Sequence, residues 1–115
     1  MIVLCSVNDR QAWRGETFAT TMRPIAGLPL VECLRPTHAL VHGWKYWGES
    51  EQWYTDGYRK LLASRWPAVK AWLDALQPGV DLTLVCYCAA GQFCHRQLIA
   101  QLLAKWRPDI PIELR

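Results

Sequence analysis

Residues 84–103 read LVCYCAAGQFCHRQLIAQLL and place Cys86, Cys88, Cys94, His95 and Arg96 close together. Three thiols, an imidazole and a guanidinium in one short stretch allow two chemistries. In the first, the stretch is a turn from strand to helix that holds an anion. A helix N-terminus carries unpaired N–H groups and favours negative charge. Arg96 would sit in the first helical turn, where the dipole disfavours a cation unless something negative lies between them. Cys94 at the same helix start, two residues from Arg96, has the surroundings that raise a thiol's thiolate fraction. The resulting assignment makes Arg96 the anion holder, His95 a proton donor or shuttle, and Cys94 a thiolate nucleophile or an N-terminal anchor. Ala89, Ala90 and Gly91 are small enough for the backbone to turn tightly and approach a ligand, which adds Gly91 and Cys88 to the ligand-binding set.

In the second chemistry the same residues hold a metal. Cys86 and Cys88 alternate along a strand and point to one face. With Cys94 and His95 they would complete a tetrahedral zinc site. Cys-x-Cys is not the Cys-x-x-Cys knuckle of zinc ribbons, and no second pair exists elsewhere, so no cofactor is favoured and zinc is the alternative. The spacing excludes the ordinary thiol phosphatase: the interval to Arg96 is too long from Cys88 and too short from Cys94 for one loop to wrap a phosphate.

The elements that must position this stretch follow from the rest of the 115 residues, a length that predicts one domain over 1–115. Apolar residues make up 51% and charged residues 20%, the balance of a globular protein. The net charge of +3 permits an anionic ligand but is far from the basic footprint of a nucleic-acid binder. No basic region followed by a long apolar stretch opens the chain, and no run approaches the roughly 18 apolar residues of a membrane span. Five cysteines, an odd number, sit mostly in apolar runs; Cys5, Cys33 and Cys86 read as small core residues. These features predict a reduced cytoplasmic protein, with no membrane partner and no feature that specifies an oligomer.

MIVLCSV (1–7) is a buried strand and ends at the Asn8-Asp9 turn. ETFATTMR (16–23) reads as a short helix before Pro24, LPLVECL (28–34) as a second strand, and THALVHGW (37–44) as either strand or helix. From Ser50, which reads as an N-cap, Trp53, Tyr54, Tyr58, Leu61 and Leu62 recur at helical steps. Pro67 restarts a helix that Pro78-Gly79 ends. VDLTLVCYC (80–88) is the clearest strand and belongs in the sheet's middle. A helix follows from near Cys94, with Leu98, Ile99, Leu102, Leu103 and Trp106 inward, and IPIELR (110–115) closes the sheet at an edge. Strand–helix–strand is a parallel crossover. The fold class is therefore α/β, a small domain with a mostly parallel sheet of four or five strands and flanking helices.

With WYTDGYRKLL upstream, the stretch resembles the bacterial family called domain of unknown function 488 (DUF488). Its members carry an apolar strand ending in Cys-x-Glu, a short loop, and Cys-His-Arg opening a helix. Cys86 falls on the strand cysteine, Cys94, His95 and Arg96 on the Cys-His-Arg, and Tyr54 and Tyr58 on an aromatic pair. The resemblance is strongest over residues 44–106. Cys88 stands where the family has its acidic residue, as in the Cys-x-Cys strand end of domain of unknown function 4326. That counts against a role that needs a general base there and slightly raises the metal reading. The family implies the fold and the site, not an activity.

His38 and His42, four apart in the sequence, read as loop or core histidines, and Lys45 and Arg35 as charge near the anion site if strand order allows. Trp44, Tyr46, Trp47, Trp53, Tyr54 and Tyr58 are core aromatics first. Trp47 and Tyr54 are the candidates for stacking a base, worth ~1–3 kcal/mol per contact in single-strand binders. Arg59, Lys60 and Arg65 read as a solvated helix face. Three functions remain: a site for an anionic small molecule, nucleotide or nucleic-acid end, with or without catalysis; a structural zinc domain on Cys86, Cys88, Cys94 and His95; and a module that binds nucleic acid or protein through its Trp/Tyr-rich loop (44–58).

Overall fold

The two most continuous apolar runs form adjacent central strands, β1 (Ile2–Ser6) and β3 (Leu82–Cys86), paired in parallel with Leu4 opposite Leu84 and Ser6 opposite Cys86. The computed structural model describes residues 1–115. β2 (Glu16–Ala19) pairs with the outer side of β3, and β4 (Ile112–Leu114) with the outer side of β1. The sheet order is β2-β3-β1-β4, all parallel. Four helices complete the chain: α1 (His38–Tyr46), α2 (Glu51–Ser64), α3 (Trp66–Ala75) and α4 (His95–Trp106). The α/β class and the edge position of the C-terminal strand are as the sequence predicts.

Alternation along the strands separates two faces. Ile2, Leu4 and Leu84 join Tyr58, Leu62, Val69, Leu73, Ile99 and Leu103 of the helices in a cluster of 16 buried residues. Val3, Cys5 and Val85 face the other way, in a cluster of 4 covered by Trp13, Ile25 and Leu28 from connecting segments. Full burial of such side chains contributes about 1.5–3 kcal/mol each, so the helical face dominates the apolar stabilisation. On the second face Thr83 Oγ1 accepts from Arg14 N at 2.7 Å and donates to Arg14 O at 2.8 Å, so the polar strand residue is satisfied.

Two segments differ from expectation. Residues 16–19 are strand, not helix: Thr17 and Phe18 are β-formers, and β3 supplies the ladder that local propensity cannot anticipate. Residues 28–34 are not a strand but a single bridge, with Ala19 N donating to Pro29 O at 2.8 Å and Val31 N to Ala19 O at 2.9 Å, followed by one 3₁₀ turn over Glu32–Leu34. Their apolar character comes from Val31 and Leu34 entering the core, not from a ladder. Residues 38–46 resolve to helix, with Thr37 capping Leu40 N.

α2 begins at the expected Ser50 cap, whose Oγ accepts from Trp53 N at 3.0 Å. α1 and α2 approach closely through glycines: a Cβ on Gly43 would lie 2.2 Å from the Trp53 ring, and one on Gly57 2.5 Å from Leu40 Cδ2. Arg65, expected in solvent, turns back to donate to Arg35 O at 2.6 Å. Trp106, expected inward, is 43% exposed and packs on Trp66 at a centroid distance of 4.9 Å. None of the five cysteines forms a disulfide. No helix is long and apolar enough to cross a membrane.

Candidate functional site: a three-thiol cluster at a basic, aromatic cavity

Beyond the carboxyl ends of β2 and β3 lies a cavity of about 250 Å³, where ligands of open parallel sheets bind. Its walls come from five places, one of them Pro36 ahead of α1. Thr21, Met22 and Arg23 follow β2; Val41, His42, Trp44, Lys45 and Tyr46 come from α1; Tyr54 comes from α2; Cys86, Tyr87, Cys88, Cys94 and His95 belong to the turn into α4.

The turn is held from below by side chains of α4 and by packing. Cys94 is the N-cap of α4: its Sγ lies 3.4 Å from Arg96 N, and its own N–H donates to Gln97 Oε1 at 2.8 Å. Gln97 Nε2 in turn donates to Gln92 O at 2.8 Å, and Gln92 Oε1 accepts from Ala89 N at 3.2 Å. Gly91 supplies the left-handed residue of the turn, with φ 79°. Phe93 packs edge-on against Trp44 and Tyr54, at centroid distances of 5.2 and 5.9 Å.

Arg96 is 1% exposed and lies beneath the turn. Nη1 donates to Cys88 O and approaches Cys86 Sγ, both at 3.2 Å; Nη2 donates to Ala89 O at 3.0 Å; Nε has no partner. No carboxylate pairs with it. The negative partner that its place at a helix N-terminus demands is therefore the loop's carbonyls and the sulfurs.

Cys86 and Cys94 have their Sγ atoms 3.5 Å apart, and those of Cys86, Cys88 and Cys94 all lie within 4.8 Å of one another, close enough to share a metal ion. Cys86 and Cys94 are buried and Cys88 is half-buried. Hydrogen bonding with Cys86 and Cys94 holds the Cys88 pKa well below that of an ordinary thiol, with Lys45 adding positive charge. The same sharing raises Cys86 and Cys94. The lowered pKa belongs to the sulfur that is half open to the cavity.

His95 is 6% exposed, and burial lowers its pKa to about 4. Nε2 lies 2.7 Å from Thr20 O and 3.1 Å from Thr20 Oγ1, which itself donates to Val85 O at 3.1 Å. The neutral ring, with Nε2–H donating to Thr20 O, ties α4 to the end of β2 and is not a member of the sulfur cluster.

The structure thus brings Cys86, Cys88, Cys94, His95 and Tyr54 to one cavity. It places Arg96 below that cavity, Gly91 in the loop outside its lining, and Trp47 64% exposed beyond the end of α1. Lys45 reaches the cavity and Arg35 does not; Arg35 Nε donates to Met22 O at 2.6 Å. His38 and His42 stack at 3.6 Å on α1, and His42 joins the lining. Sequence reasoning missed Thr20, Thr21 and Arg23, because the segment carrying them read as helix. It also missed Gln97, although a helix start with Gln three residues in is a capping-box signal.

Neither a curated protein nor a solved structure gives a significant match to the chain. Residues 5–107 match the family model described as the active DUF488-N3 subclade, DUF488-N3a. That span holds the end of β1, all of β2 and β3, all four helices and every residue lining the cavity, so the chain belongs to the DUF488 family.

Proposed function

We propose that the cavity binds an anionic, ring-bearing small molecule of the nucleotide class and presents it to Cys88 for covalent or acid–base chemistry. One observation carries this reading: Arg23 and Lys45, the aromatic walls Trp44 and Tyr54, and the thiols of Cys88 and Cys94 line a single cavity. Two cations suit a phosphate, flat rings suit a base, and the half-buried sulfur is the nucleophile within reach. Tyr46, 72% exposed at the rim, extends the aromatic wall outward and leaves room for a base at the end of a longer strand.

In this reading Cys94 is the N-terminal anchor rather than the nucleophile, because its sulfur is taken up by the helix end. Arg96 and His95 are positioning residues: one holds the loop carbonyls, the other holds α4 to the end of β2. The description of the matched subclade as active supports a catalytic over a purely structural role. A closed zinc site with His95 as fourth ligand is disfavoured because His95 does not join the three sulfurs that lie close enough to share an ion.

The test is the rate at which iodoacetamide modifies Cys88 in the reduced, metal-free protein, mapped by mass spectrometry, with and without nucleoside monophosphates. At least one nucleotide is expected to slow the modification, and Lys45→Met to remove that protection. If no nucleotide protects at millimolar concentration, the reading is wrong.

A further inference from the structure

The sulfur cluster has more donor capacity than a single nucleophile uses. Three Sγ atoms lie within 4.8 Å of one another, with the closest pair at 3.5 Å. A zinc–sulfur bond of about 2.3 Å at the tetrahedral angle places sulfurs about 3.8 Å apart, inside that range. The ligands come from rigid elements: Cys86 ends β3, Cys94 caps α4, and Cys88 lies in the turn whose carbonyl Arg96 holds.

Charge is the independent observation. Arg96 is fully buried, has no carboxylate partner, and directs Nη1 at Cys86 Sγ. A buried guanidinium requires a compensating charge beside it. Three thiolates around a divalent cation carry a net charge of −1, which Arg96 balances. All three cysteines line the cavity, so a cation among them would have its remaining coordination position on the cavity side.

We propose that Cys86, Cys88 and Cys94 bind one thiophilic divalent cation of the zinc class, as a three-sulfur site whose fourth position opens into the cavity. His95 is not a ligand. Three protein ligands with an open position is the arrangement of reactive rather than structural zinc sites. The cation takes up the Cys88 sulfur, so the site has a thiol form and a metal form that exclude each other. The fourth ligand is water or the anionic group of the cavity's occupant; only that last identification rests on the proposed function.

The reduced protein, titrated with Co²⁺ without oxygen, is expected to develop sulfur-to-cobalt charge-transfer absorption that saturates at one equivalent and disappears on adding Zn²⁺. Cys88→Ala should lose the band, whereas Cys33→Ser, outside the cluster, should keep it. In the unaltered protein one equivalent of Zn²⁺ should block iodoacetamide at Cys88 and leave Cys33 reactive, a readout independent of whether any variant folds. Absence of the band in the folded protein, or Zn²⁺ protection of Cys33 equal to that of Cys88, overturns the proposal. Nucleotide protection without cobalt binding would reject this inference and leave the proposed function standing. Cobalt binding without nucleotide protection would do the reverse.

Discussion

α4 carries an arginine at each end, and the two do the same mechanical work with different counter-charges. At the C-terminal end Arg107 Nη1 donates to Leu73 O and Leu76 O, at 2.6 and 2.8 Å, fastening the segment that leaves α3. At the N-terminal end Arg96 fastens Cys88 O and Ala89 O. Arg107 has Asp109, which accepts from its Nε and Nη2 at 3.0 and 2.8 Å, and it stands where the helix dipole favours a cation. Arg96 has no carboxylate, stands where the dipole opposes it, and is far more deeply buried. A clamp built only for stability would resemble the one at Arg107. The arginine that accepts both penalties is the one beside the thiols, which is why the chemistry is assigned to that end.

The comparison is broken most directly by removing each guanidinium. Arg96→Met keeps most of the volume but strands two loop carbonyls and the cluster's counter-charge. Hydrogen bonds to a charged group contribute about 1.5–3 kcal/mol each, so a total loss of about 3 kcal/mol is expected. Urea unfolding of the metal-free protein measures it. A loss no greater than that of Arg107→Met would mean that Arg96 is an ordinary clamp.

His95 sharpens the same contrast through pH. Burial holds its pKa at about 4 against an ordinary 6.5. The folded chain keeps the ring neutral while the unfolded chain takes up a proton below pH 6.5. The unfolded state binds more protons in that window, so stability is undiminished above pH 6.5 and falls as pH drops toward 4, by about 3 kcal/mol in all. Urea midpoints at pH 7, 5.5 and 4.5 should show that slope in the unaltered protein and a shallower one in His95→Gln. Equal slopes would show that the imidazole is not held neutral.

The site's own stretch was the most legible part of the sequence, and the segment facing it the least. The runs that became β1 and β3 are apolar at all but one position each, and α2, α3 and α4 carry helical apolar stripes with caps or prolines at their starts, so each declares itself locally. β2 is four residues long and exists because β3 lies beside it; nothing within Glu16–Ala19 records that neighbour. Missing it hid the end of β2, and with it Thr20 and Arg23. The place of Arg96 was half legible. Its charge at a helix start signalled a negative partner, but sequence does not carry the depth that turns it away from an external anion and toward the loop and the sulfurs.

The smallest effect is expected at the other end of α4. Arg107→Met also strands two carbonyls, those of Leu73 and Leu76, yet this end is partly open and water can replace the lost donors. The ion pair with Asp109 raises the arginine's pKa and lowers the carboxyl's, but at an exposed site such pairs contribute little and salt screens them. Arg107→Met should therefore shift the urea midpoint by clearly less than Arg96→Met. Asp109→Asn should shift it less again, with a difference from the unaltered protein that shrinks as salt is raised. The corresponding loss at Arg96 should respond less to salt, because the guanidinium is 1% exposed and lies against the buried Cys86 sulfur. If both arginine variants lost the same stability with the same salt dependence, the two ends of α4 would be equivalent, and the case for a special electrostatic role at the thiols would rest on the cavity alone.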